Sequence, residues 1–372
     1  MTDASNGAPA FVVRAPSATY PVYVEWGALD RIGGRLLETS LRGPVYVVSD
    51  STVAWMYAGR VEQALGKAGL ESHFYTVPAG EASKSLANAG ELYAWLAEHR
   101  CERGSTIVAL GGGMVGDLAG FVAATFLRGV AVVQAPTSLA AMVDASIGGK
   151  TAVNLPAGKN LVGAFYQPRM VAADLTTLRS LSSREMASGW AEAIKHGLIL
   201  DPSLYRLFEE RVEDLLDLEP EITEEVVRRS MAIKGRIVEE DERETLGRRT
   251  LLNYGHTIGH GLEAATEYGS LLHGEAVSVG MAAVGEIGHT MGLISREEVE
   301  RYIAVLRGFG LPVRAPGVDP VSVLAAMKMD KKASGRRINW VLLEEIGRAV
   351  VRSDVPDDLA EATVRAVCSP DD

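Results

Sequence analysis

Short apolar runs alternate with longer amphipathic segments through the first 180 residues of the chain. The short runs predict strands, and the segments in which apolar residues recur every three or four positions predict helices. The predicted strands are 45–50, 73–77, 105–110 and 131–134, and the predicted helices are 53–69, 85–100 and 114–126. Elements that alternate in this way form a parallel sheet with helices on both faces. Residues 11–15 and 20–25 alternate between apolar and polar positions and predict a paired edge.

The alternation stops near residue 180, and the second half of the chain has mainly helical periodicity. Ser183 is expected to cap a helix that runs to Leu200 and carries Glu192 and Lys195 on one face. The other predicted helices are 221–239, 274–292, 296–309 and 320–329, with a candidate hairpin strand at 337–343. We therefore predict an α/β domain at 1–180 and an α-helical domain at 181–372.

The stretch 249–275 carries an unusual set of polar residues and is expected to begin as one helix. The set is Arg249, Asn253, His256 and His260, at offsets of four, seven and eleven. On a helix these offsets place all four side chains on roughly one face. His273 follows after a short break that contains glycine. A face built for packing would carry Leu or Val, so this face is predicted to bind a metal ion or an anion.

His256 and His260 have the spacing of two zinc ligands on one helix, but the Glu of the His-Glu-x-x-His metalloprotease motif is absent. Catalytic zinc commonly takes three protein ligands and leaves one position open. Glu192 with two of the three histidines His256, His260 and His273 would supply such a set, and the spacing does not decide which two. The alternative is a pair of histidines with a purely structural role.

Glycines at 111–113 follow the predicted strand 105–110. They let the backbone approach a pyrophosphate at the start of a helix. A tight strand-to-helix turn is the alternative, because the G-x-G-x-x-G fingerprint is absent. Asp50 ends a neighbouring strand, where it either accepts a hydrogen bond from a ribose hydroxyl or caps the next helix. The loop after 73–77 carries both a Glu and a Lys, Glu81 and Lys84.

A second group of glycines and charged residues lies between 136 and 160. It includes Asp144, Lys150, Lys159 and Asn160, and Arg128 lies just upstream. Donors placed between apolar runs in this way predict recognition of a phosphate or a carboxylate. The alternative is a solvated loop with incidental charges.

Composition fits a globular protein, since 372 residues with 47% apolar content suffice for two domains of ordinary size. The net charge of -11 argues against nucleic acid or an anionic membrane as a partner, so a bound anion needs a local basic cluster. The two cysteines, Cys101 and Cys368, fit a reducing compartment. Neither a signal peptide nor a run of about 20 apolar residues is visible, and a cytoplasmic location is expected.

Taken together, several stretches resemble the 3-dehydroquinate synthase family over about residues 15–355. They are 111–129, 143–153, 158–168, 191–195 and the segments around His256 and His273. The resemblance implies a Rossmann-like N-terminal domain that binds NAD and an α-helical C-terminal domain that binds Zn²⁺ or Co²⁺. It further implies an active site between these domains, a small sugar phosphate as substrate, and a homodimer.

The resemblance also implies roles for individual residues. The metal ligands would be Glu192, His256 and His273, so that His260 moves from the candidate ligands to the substrate site. The other substrate-site positions would be Asp144, Lys150, Asn160, Lys195, Lys234, Arg249, Asn253 and the pair Lys331 and Lys332, with Arg128 reaching the phosphate in a neighbouring subunit. The NAD contacts would be Asp50, Glu81, Lys84, Gly113, Met114, Val115, Gly116, Asp117, Thr137, Ser138, Lys150, Lys159 and Thr177.

The family's reaction belongs to the shikimate pathway of aromatic amino acid biosynthesis. 3-Deoxy-D-arabino-heptulosonate 7-phosphate is oxidised at C5 by NAD, loses phosphate, is reduced again and closes to 3-dehydroquinate. The metal would polarise the C5 oxygen as a Lewis acid. The hydride returns to the substrate, so the net reaction is that of a lyase and consumes no NAD.

The chain departs from the family pattern at three places. Thr137-Ser138 stands where the family usually has two threonines, and Ala145 stands where it often has serine. One extra residue between Glu244 and Arg249 leaves open whether Arg248 or Arg249 faces the substrate, although the offset of four to Asn253 favours Arg249.

Three alternatives follow from the same pattern. Other sugar phosphate cyclases, such as 2-epi-5-epi-valiolone or 2-deoxy-scyllo-inosose synthase, typically differ at the positions that Asn253, His260 and 330–332 occupy here. A metal-dependent polyol dehydrogenase would release NADH and would not need the anion-binding loops. A non-catalytic binding protein would not need an intact ligand set.

Overall fold

A computed structural model of the chain describes residues 7–266, 270–334 and 338–369, with only the backbone described at 329–334. The chain divides into two compact units. The first unit contains the residues up to Ser180 together with Lys234–Arg243, and the second contains Leu181–Ile233 and the residues from Glu244 onward. The return of Lys234–Arg243 to the first unit has no counterpart in the hydrophobic pattern.

The first unit is an α/β structure. Its elements are β1 (Phe11–Ala15), β2 (Ala18–Glu25), α1 (Ile32–Glu38), β3 (Val45–Asp50), α2 (Ser51–Lys67), β4 (Ser72–Val77), α3 (Leu86–Glu98), β5 (Thr106–Gly111), α4 (Gly113–Thr125), β6 (Ala131–Pro136), β7 (Lys150–Leu155), β8 (Gly158–Phe165) and β9 (Met170–Asp174). The predicted alternation of strands and helices is confirmed.

The main sheet has seven strands in the order β1-β2-β9-β6-β5-β3-β4. Only the β1–β2 pair is antiparallel, and the other neighbouring strands run parallel. β7 and β8 form a separate antiparallel hairpin. Neither this hairpin nor β9 was predicted. The hairpin lies in the stretch interpreted as charged loops, where glycines and lysines hide its alternation, and β9 is too short to be distinguished by periodicity.

Alternate residues of the central strands point to opposite faces of the sheet. On β3, Tyr46 and Val48 pack in the core that contains α3 and α4. The intervening residues, Val45 and Val47, pack in the core that contains α1 and α2. Because both faces are covered, every residue of β3 is buried, and the strand reads as a continuous apolar run.

Strand β4 lies on one side of β3, and the next strand along the chain, β5, lies on the other. The direction in which successive strands are added to the sheet therefore reverses next to β3. The first helix after β3 therefore covers one face, and the helix after β5 covers the other. In open parallel sheets, ligands bind outside the carboxyl ends of the strands at such a switch point. Asp50 and Gly111 end the two strands that meet here.

The second unit is built mainly from helices. Its elements are α5 (Ser183–Leu200), α6 (Pro202–Glu210), α7 (Val212–Leu216), α8 (Pro220–Glu240, whose last turns belong to the first unit), α9 (His256–Ala265), α10 (His273–Thr290), α11 (Arg296–Gly308), α12 (Pro320–Ser334), the hairpin β10 (Trp340–Glu345) and β11 (Arg348–Arg352), and α13 (Asp357–Cys368). The helices predicted at 183–200, 221–239, 274–292, 296–309 and 320–329 are present, and the described part of the candidate hairpin strand contributes Trp340 to Leu343 to β10. No helix among the described residues is long and apolar enough to cross a membrane.

Two local predictions in this unit were wrong. The cap of α5 is Ser182, which forms a capping box with Glu185, whereas Ser183 is already inside the helix. The stretch from Arg249 to Glu275 is not one helix face. Arg249–Asn253 is a separate 3₁₀ turn, and Gly255 adopts a left-handed conformation with φ of 79° before α9 begins.

Glycine lets α9 and α10 approach closely. A Cβ atom at Gly280 would lie 1.9 Å from the carbonyl oxygen of Gly255, so any side chain there would force the two segments apart. A hydrogen bond fixes the start of α10 to α5, because Ser188 Oγ accepts from Gly274 N at 3.0 Å. This packing brings the first residues of α9 and α10 next to α5.

Glu242 fixes the segment after α8 within the first unit. Its buried carboxylate accepts hydrogen bonds from Ser17 N at 3.0 Å, from Ser17 Oγ, and from Gln167 Nε2 at 2.9 Å. Burial raises the pKa of Glu242, but the hydrogen bonds from Ser17 and Gln167 outweigh it and hold the pKa below its usual range.

Replacing Glu242 with Gln is expected to lower the free energy of unfolding at pH 7 by roughly 1.5–3 kcal/mol, the range for hydrogen bonds to a charged group. A carboxylate whose pKa is lowered by folding stabilises the protein above about pH 4.3, its ordinary pKa, and this stabilisation is lost as the pH falls further. Urea unfolding of both proteins between pH 7 and pH 3 should therefore show a difference that stays constant down to about pH 4.3 and shrinks below it. Glu62→Gln, at an exposed position on α2, is the control; an equal loss in both variants would contradict the assignment.

Candidate functional site

The second unit contains a buried carboxylate between two histidines. Glu192, on α5, is 1% exposed. Its Oε2 atom accepts a hydrogen bond from Lys195 on the same helix face. Its Oε1 atom lies 3.6 Å from His256 Nε2 and 3.5 Å from His273 Nε2. Three separate helices thus contribute one ligand-type atom each to the same point.

Hydrogen bonds on the far side of each ring orient the two histidines. His256 Nδ1 lies 3.1 Å from the carbonyl oxygen of Tyr254, and His273 Nδ1 lies 3.3 Å from Glu263 Oε2. A carbonyl or carboxylate oxygen only accepts, so both Nδ1 atoms act as donors. When the rings are neutral, the Nε2 lone pairs therefore point toward Glu192. Metal-binding histidines in proteins are oriented in the same way.

The charges in this cluster influence one another. Burial raises the pKa of Glu192, but Lys195, His256 and His273 outweigh it and hold the pKa well below its usual range. Burial and the neighbouring Lys195 hold the pKa of His256 well below its usual range, which keeps this ring neutral. Burial lowers the pKa of His273, but Glu192 and Glu263 outweigh it and raise the pKa to about 10. A cation that binds here would have to displace the proton of His273.

These residues fit a divalent metal ion. The ligand atoms of Glu192, His256 and His273 lie within 4.8 Å of one another. Among the described residues, Glu192 Oε1 is buried without a hydrogen bond of normal geometry, since the two Nε2 atoms that face it lie 3.5 and 3.6 Å away. A buried carboxylate oxygen without a donor is costly unless a cation compensates it. Two imidazoles and one carboxylate are a known ligand set for catalytic zinc, in which a fourth position stays open.

A second grouping shares one member of this cluster. His260, Glu263 and His273 also have ligand atoms within 4.8 Å of one another. His273 uses its Nδ1 atom in this grouping and its Nε2 atom in the other. The grouping around Glu192 fits a metal better, because Glu192 is 1% exposed and its oxygen faces both Nε2 atoms, whereas Glu263 fits the role of the hydrogen-bond acceptor that orients His273.

The turn Arg249–Asn253 precedes α9 and carries two of the candidate residues, Arg249 and Asn253, while Arg248 directly precedes it. Arg249 is 2% exposed, and its Nε atom lies 3.3 Å from Glu244 Oε1. Arg248 and Asn253 are exposed. Of the two arginines left open by the sequence, Arg249 is thus the buried one.

The first unit contains a cavity of about 540 Å³ at the start of the β7–β8 hairpin. Five residues from separate parts of the sequence line it: Asp117, Asp144, Lys150, Asn160 and Lys234. All five were predicted site residues. Lys234, near the end of α8, forms an ion pair with Asp144 and donates to its backbone carbonyl at 2.5 Å. The cavity combines two lysines with two carboxylates, which suits a small ligand with both anionic groups and hydroxyls.

Asp144 lies in a short π-helical turn, Ala141–Ala145. Such turns are rare and frequently occur at functional sites. The turn follows β6 and presents the Asp144 side chain with 37% exposure toward Lys234.

The strand ends at the switch point carry the residues predicted to bind NAD. Asp50 Oδ1 accepts hydrogen bonds from Thr52 N at 2.9 Å and Val53 N at 3.0 Å, so the capping interpretation of Asp50 is the one observed. Gly112 precedes α4 in an extended conformation, and Gly113 is the first residue of the helix. The start of α4 is thereby placed beside the end of β3, where helix amides attract an anion.

Lys84 lies in the loop after β4, and its side chain contacts α4. It is 5% exposed, and its Nζ atom lies 2.9 Å from Asp117 Oδ2 and 3.2 Å from Glu81 Oε1. Burial lowers the pKa of Lys84, but Asp117 and Glu81 outweigh it and raise the pKa, which keeps the lysine charged. Burial raises the pKa of Asp117 despite the neighbouring Lys84.

The remaining candidates are spread over other elements. Thr137 and Ser138 follow β6, and Thr177 Oγ1 donates to the Asp174 carbonyl at 2.8 Å. Met114, Val115 and Gly116 lie in α4, and Lys159 lies in β8. Arg128 is exposed in a turn with φ of 64°. The side chains of Lys331 and Lys332 lie outside the described residues.

Two residues at these sites were missed from the sequence. Glu263 lies seven positions after His256 and three after His260, so helical spacing alone could have placed it on their face. Asn154, which accepts from Asn160 N at 3.0 Å, gave no signal, because the hairpin that contains it was not predicted.

Comparison with known proteins gives two matching family models. The model of the 3-dehydroquinate synthase N-terminal region matches residues 74–188, and the model of the C-terminal region matches residues 189–333. The 3-dehydroquinate synthase of Desulforamulus reducens is 43% identical over 352 residues, which cover 94% of this chain and 97% of that protein.

Two solved structures are similar over almost the whole chain. A 2-epi-5-epi-valiolone synthase from Streptomyces hygroscopicus subsp. jinggangensis, with NAD⁺ and Zn²⁺ bound, has a TM-score of 0.87 at 28% identity and covers 96% of this chain and 99% of its own. A 2-deoxy-scyllo-inosose synthase complexed with carbaglucose-6-phosphate, NAD⁺ and Co²⁺ has a TM-score of 0.86 at 27% identity and the same coverage.

Replacing Glu263 with Gln is expected to weaken zinc binding by about 10–100-fold, because a neutral amide orients His273 less strongly than a carboxylate does. The affinity is measured on the metal-free protein by competition with a chromogenic chelator, so that no turnover is needed. The matched control is Glu300→Gln, at an exposed position on α11. Equal zinc affinities for both variants would show that Glu263 does not support a metal ligand.

Proposed function

This chain belongs to the 3-dehydroquinate synthase family, and on that basis we propose that it converts 3-deoxy-D-arabino-heptulosonate 7-phosphate to 3-dehydroquinate and phosphate. The observation that carries this proposal is the position of Glu192 Oε1, which is buried between two histidine Nε2 atoms at 3.5 and 3.6 Å. A bound Zn²⁺ or Co²⁺ supplies a Lewis acid for the C5 oxygen of the substrate.

Glu192, His256 and His273 are the proposed metal ligands. Lys195 neutralises the second oxygen of Glu192 and thereby limits the charge left in the buried cluster. Tyr254 and Glu263 hold the two imidazoles in the orientation that exposes their Nε2 atoms. The ligands are thus positioned before a metal arrives, which reduces the reorganisation needed for binding.

The first unit is proposed to bind NAD through the strand ends at the switch point. The start of α4, at Gly113, offers backbone amides to the pyrophosphate. Asp50 already caps α2 with Oδ1, which leaves its second oxygen as the acceptor for a ribose hydroxyl. The other proposed contacts are Glu81, Lys84, Met114, Val115, Gly116, Asp117, Thr137, Ser138, Lys150, Lys159 and Thr177.

The substrate carries a phosphate and a carboxylate, and the protein has a net charge of -11. Local cations must therefore bind both anionic groups. Lys150 and Lys234 line the cavity of the first unit, and Arg249 is held by Glu244 in the second. The other proposed substrate contacts are Asp144, Asn160, Lys195, Asn253, His260, Lys332 and, in a neighbouring subunit, Arg128.

In the proposed sequence, the substrate loses a hydride at C5, and the resulting ketone acidifies the neighbouring C–H bond. Phosphate then leaves, the hydride returns to C5, and the ring opens and closes into a carbocycle. The residues named above bind and orient the substrate through these steps. Positioning accounts for much of the rate enhancement in such a sequence.

Two other activities fit this chain less well. Sugar phosphate cyclases with other products share the fold, but the two solved structures described above are 27–28% identical to this chain, against 43% for the 3-dehydroquinate synthase of Desulforamulus reducens. A polyol dehydrogenase would not need the pair of lysines in the cavity. A homodimer is proposed from the family resemblance. A cytoplasmic location is proposed from the two buried, unbridged cysteines, which fit a reducing compartment.

The proposal is tested with purified protein, the heptulosonate phosphate, NAD, and Zn²⁺ or Co²⁺. We expect one phosphate and one 3-dehydroquinate per substrate consumed, without accumulation of NADH, because the hydride returns to the substrate. The measurements are phosphate release, mass spectrometry of the product and absorbance at the NADH band. NADH formed in step with substrate consumption would instead identify a dehydrogenase.

Glu192→Ala is expected to abolish metal binding and phosphate release together, since it removes the carboxylate on which the site is centred. Metal content after dialysis and phosphate release are measured on the same sample. Glu300→Ala serves as the control at an exposed position. Full activity of a metal-free Glu192→Ala protein would contradict the proposed ligand.

A further inference from the structure

Asn154, on β7, uses both ends of its side-chain amide. Its Nδ2 atom donates to Glu81 Oε1 at 2.8 Å, and its Oδ1 atom accepts from Asn160 N at 3.0 Å. Its backbone is fixed as well, because Asn154 N donates to the carbonyl oxygen of Lys84 at 2.8 Å. One residue is thus bonded to two segments that are far apart in sequence.

The first segment is the turn from Glu81 to Lys84, which contains two proposed NAD contacts. Glu81 Oε1 lies within 2.8 Å of Asn154 Nδ2 and within 3.2 Å of Lys84 Nζ. Lys84 in turn lies 2.9 Å from Asp117 Oδ2 on α4. Asn154 therefore belongs to a continuous chain of polar contacts that ends at the helix proposed to bind the pyrophosphate.

The second segment is the start of β8. Asn160 has a left-handed backbone with φ of 59°, a conformation that residues other than glycine adopt at some cost. The register of the hairpin is irregular between Val153 and Leu155, so the strand ladder is interrupted at Asn154 itself. The Asn154 side chain supplies the acceptor for Asn160 N in place of a ladder partner. It thereby fixes the backbone of a residue that lines the cavity of the first unit.

We infer that Asn154 is a positioning residue that holds the Glu81–Lys84 turn and Asn160 in register, and so couples the NAD site to the substrate cavity. The inference rests on the proposed function for the roles of these two segments. An ordered NAD site then favours the conformation of Asn160 that binds substrate, and a bound substrate favours the ordered turn.

The chemistry of the two bonds requires an amide. Glu81 needs a donor and Asn160 N needs an acceptor, and Asn presents both from one short side chain. Asp at this position would keep the acceptor but would place a second carboxylate against Glu81. The binding that Asn154→Asp weakens is expected to be restored when residue 81 becomes a hydrogen-bond donor. Gln is such a donor and has nearly the same size as Glu.

The test is a double-mutant cycle between Asn154→Asp and Glu81→Gln. In the background of Glu81, Asn154→Asp is expected to raise the Kd for NAD and the KM for the sugar phosphate by about tenfold each, the effect of one lost bond to a charged group. In the background of Glu81→Gln, the same change is expected to raise them by less than about threefold, because the new amide donates to the new carboxylate. Within each background, Asn154→Asp is expected to change kcat by less than about threefold, since Asn154 touches no reacting group.

The Kd for NAD is measured by calorimetry on the protein without substrate, and thermal unfolding is recorded for every variant. This measurement does not depend on turnover, so a failed activity assay would reject the proposed function without deciding the role of Asn154. Asn339→Asp, the same change of charge at an exposed position, is the matched control. An equal rise in the Kd in both backgrounds, or a fall in kcat and melting temperature with unchanged Kd and KM, would overturn the inference.

Discussion

A buried negative charge organises the second unit. Moving a carboxylate into a protein interior costs several kcal/mol, and this cost must be offset by partners that the fold holds in place. Glu192 divides its two oxygens between Lys195 on its own helix and the Nε2 atoms of His256 and His273. Lys195 satisfies one oxygen, and the other remains directed at a place where a cation would be stabilised. The proposed metal site thus lies where the buried charge of Glu192 favours a cation.

The need for partners around the buried carboxylate of Glu192 constrains the packing of the surrounding helices. α5, α9 and α10 have to approach closely enough for side chains from all three to meet. Glycine at 280 removes the side chain that would separate α10 from the turn before α9. Glycine at 255 supplies the left-handed residue that ends that turn and starts α9. These glycines are therefore needed for the geometry of the cluster around Glu192.

The sequence predicted the parallel sheet and most of the helices, because their periodicity is strong and their cores cover both faces of the sheet. It did not predict the split of 249–275, since the offsets of Arg249, Asn253, His256 and His260 fit one helix and only the conformation of Gly255 separates them. Spacing left open which two of the three histidines accompany Glu192, and in the structure they are His256 and His273. The distance between α5, α9 and α10 is a property of tertiary packing, which no local pattern contains. Of the cavity residues, Asp144, Lys150 and Asn160 were found from their chemistry, and Asp117 and Lys234 from the family resemblance. The hairpin that carries Lys150 and Asn160 was not predicted.

α8 has a consequence for how the protein can be divided. Its residues up to Ile233 belong to the second unit, and those from Lys234 belong to the first. A fragment that ends at Ser180 would lack Lys234, the ion-pair partner of Asp144, and Glu242, the acceptor for Ser17 and Gln167. The first unit is therefore not a module that can be cut from the chain at one point. A fragment or chimaera that contains the sheet must therefore also contain the end of α8. For the same reason, the two units are expected to be inherited together.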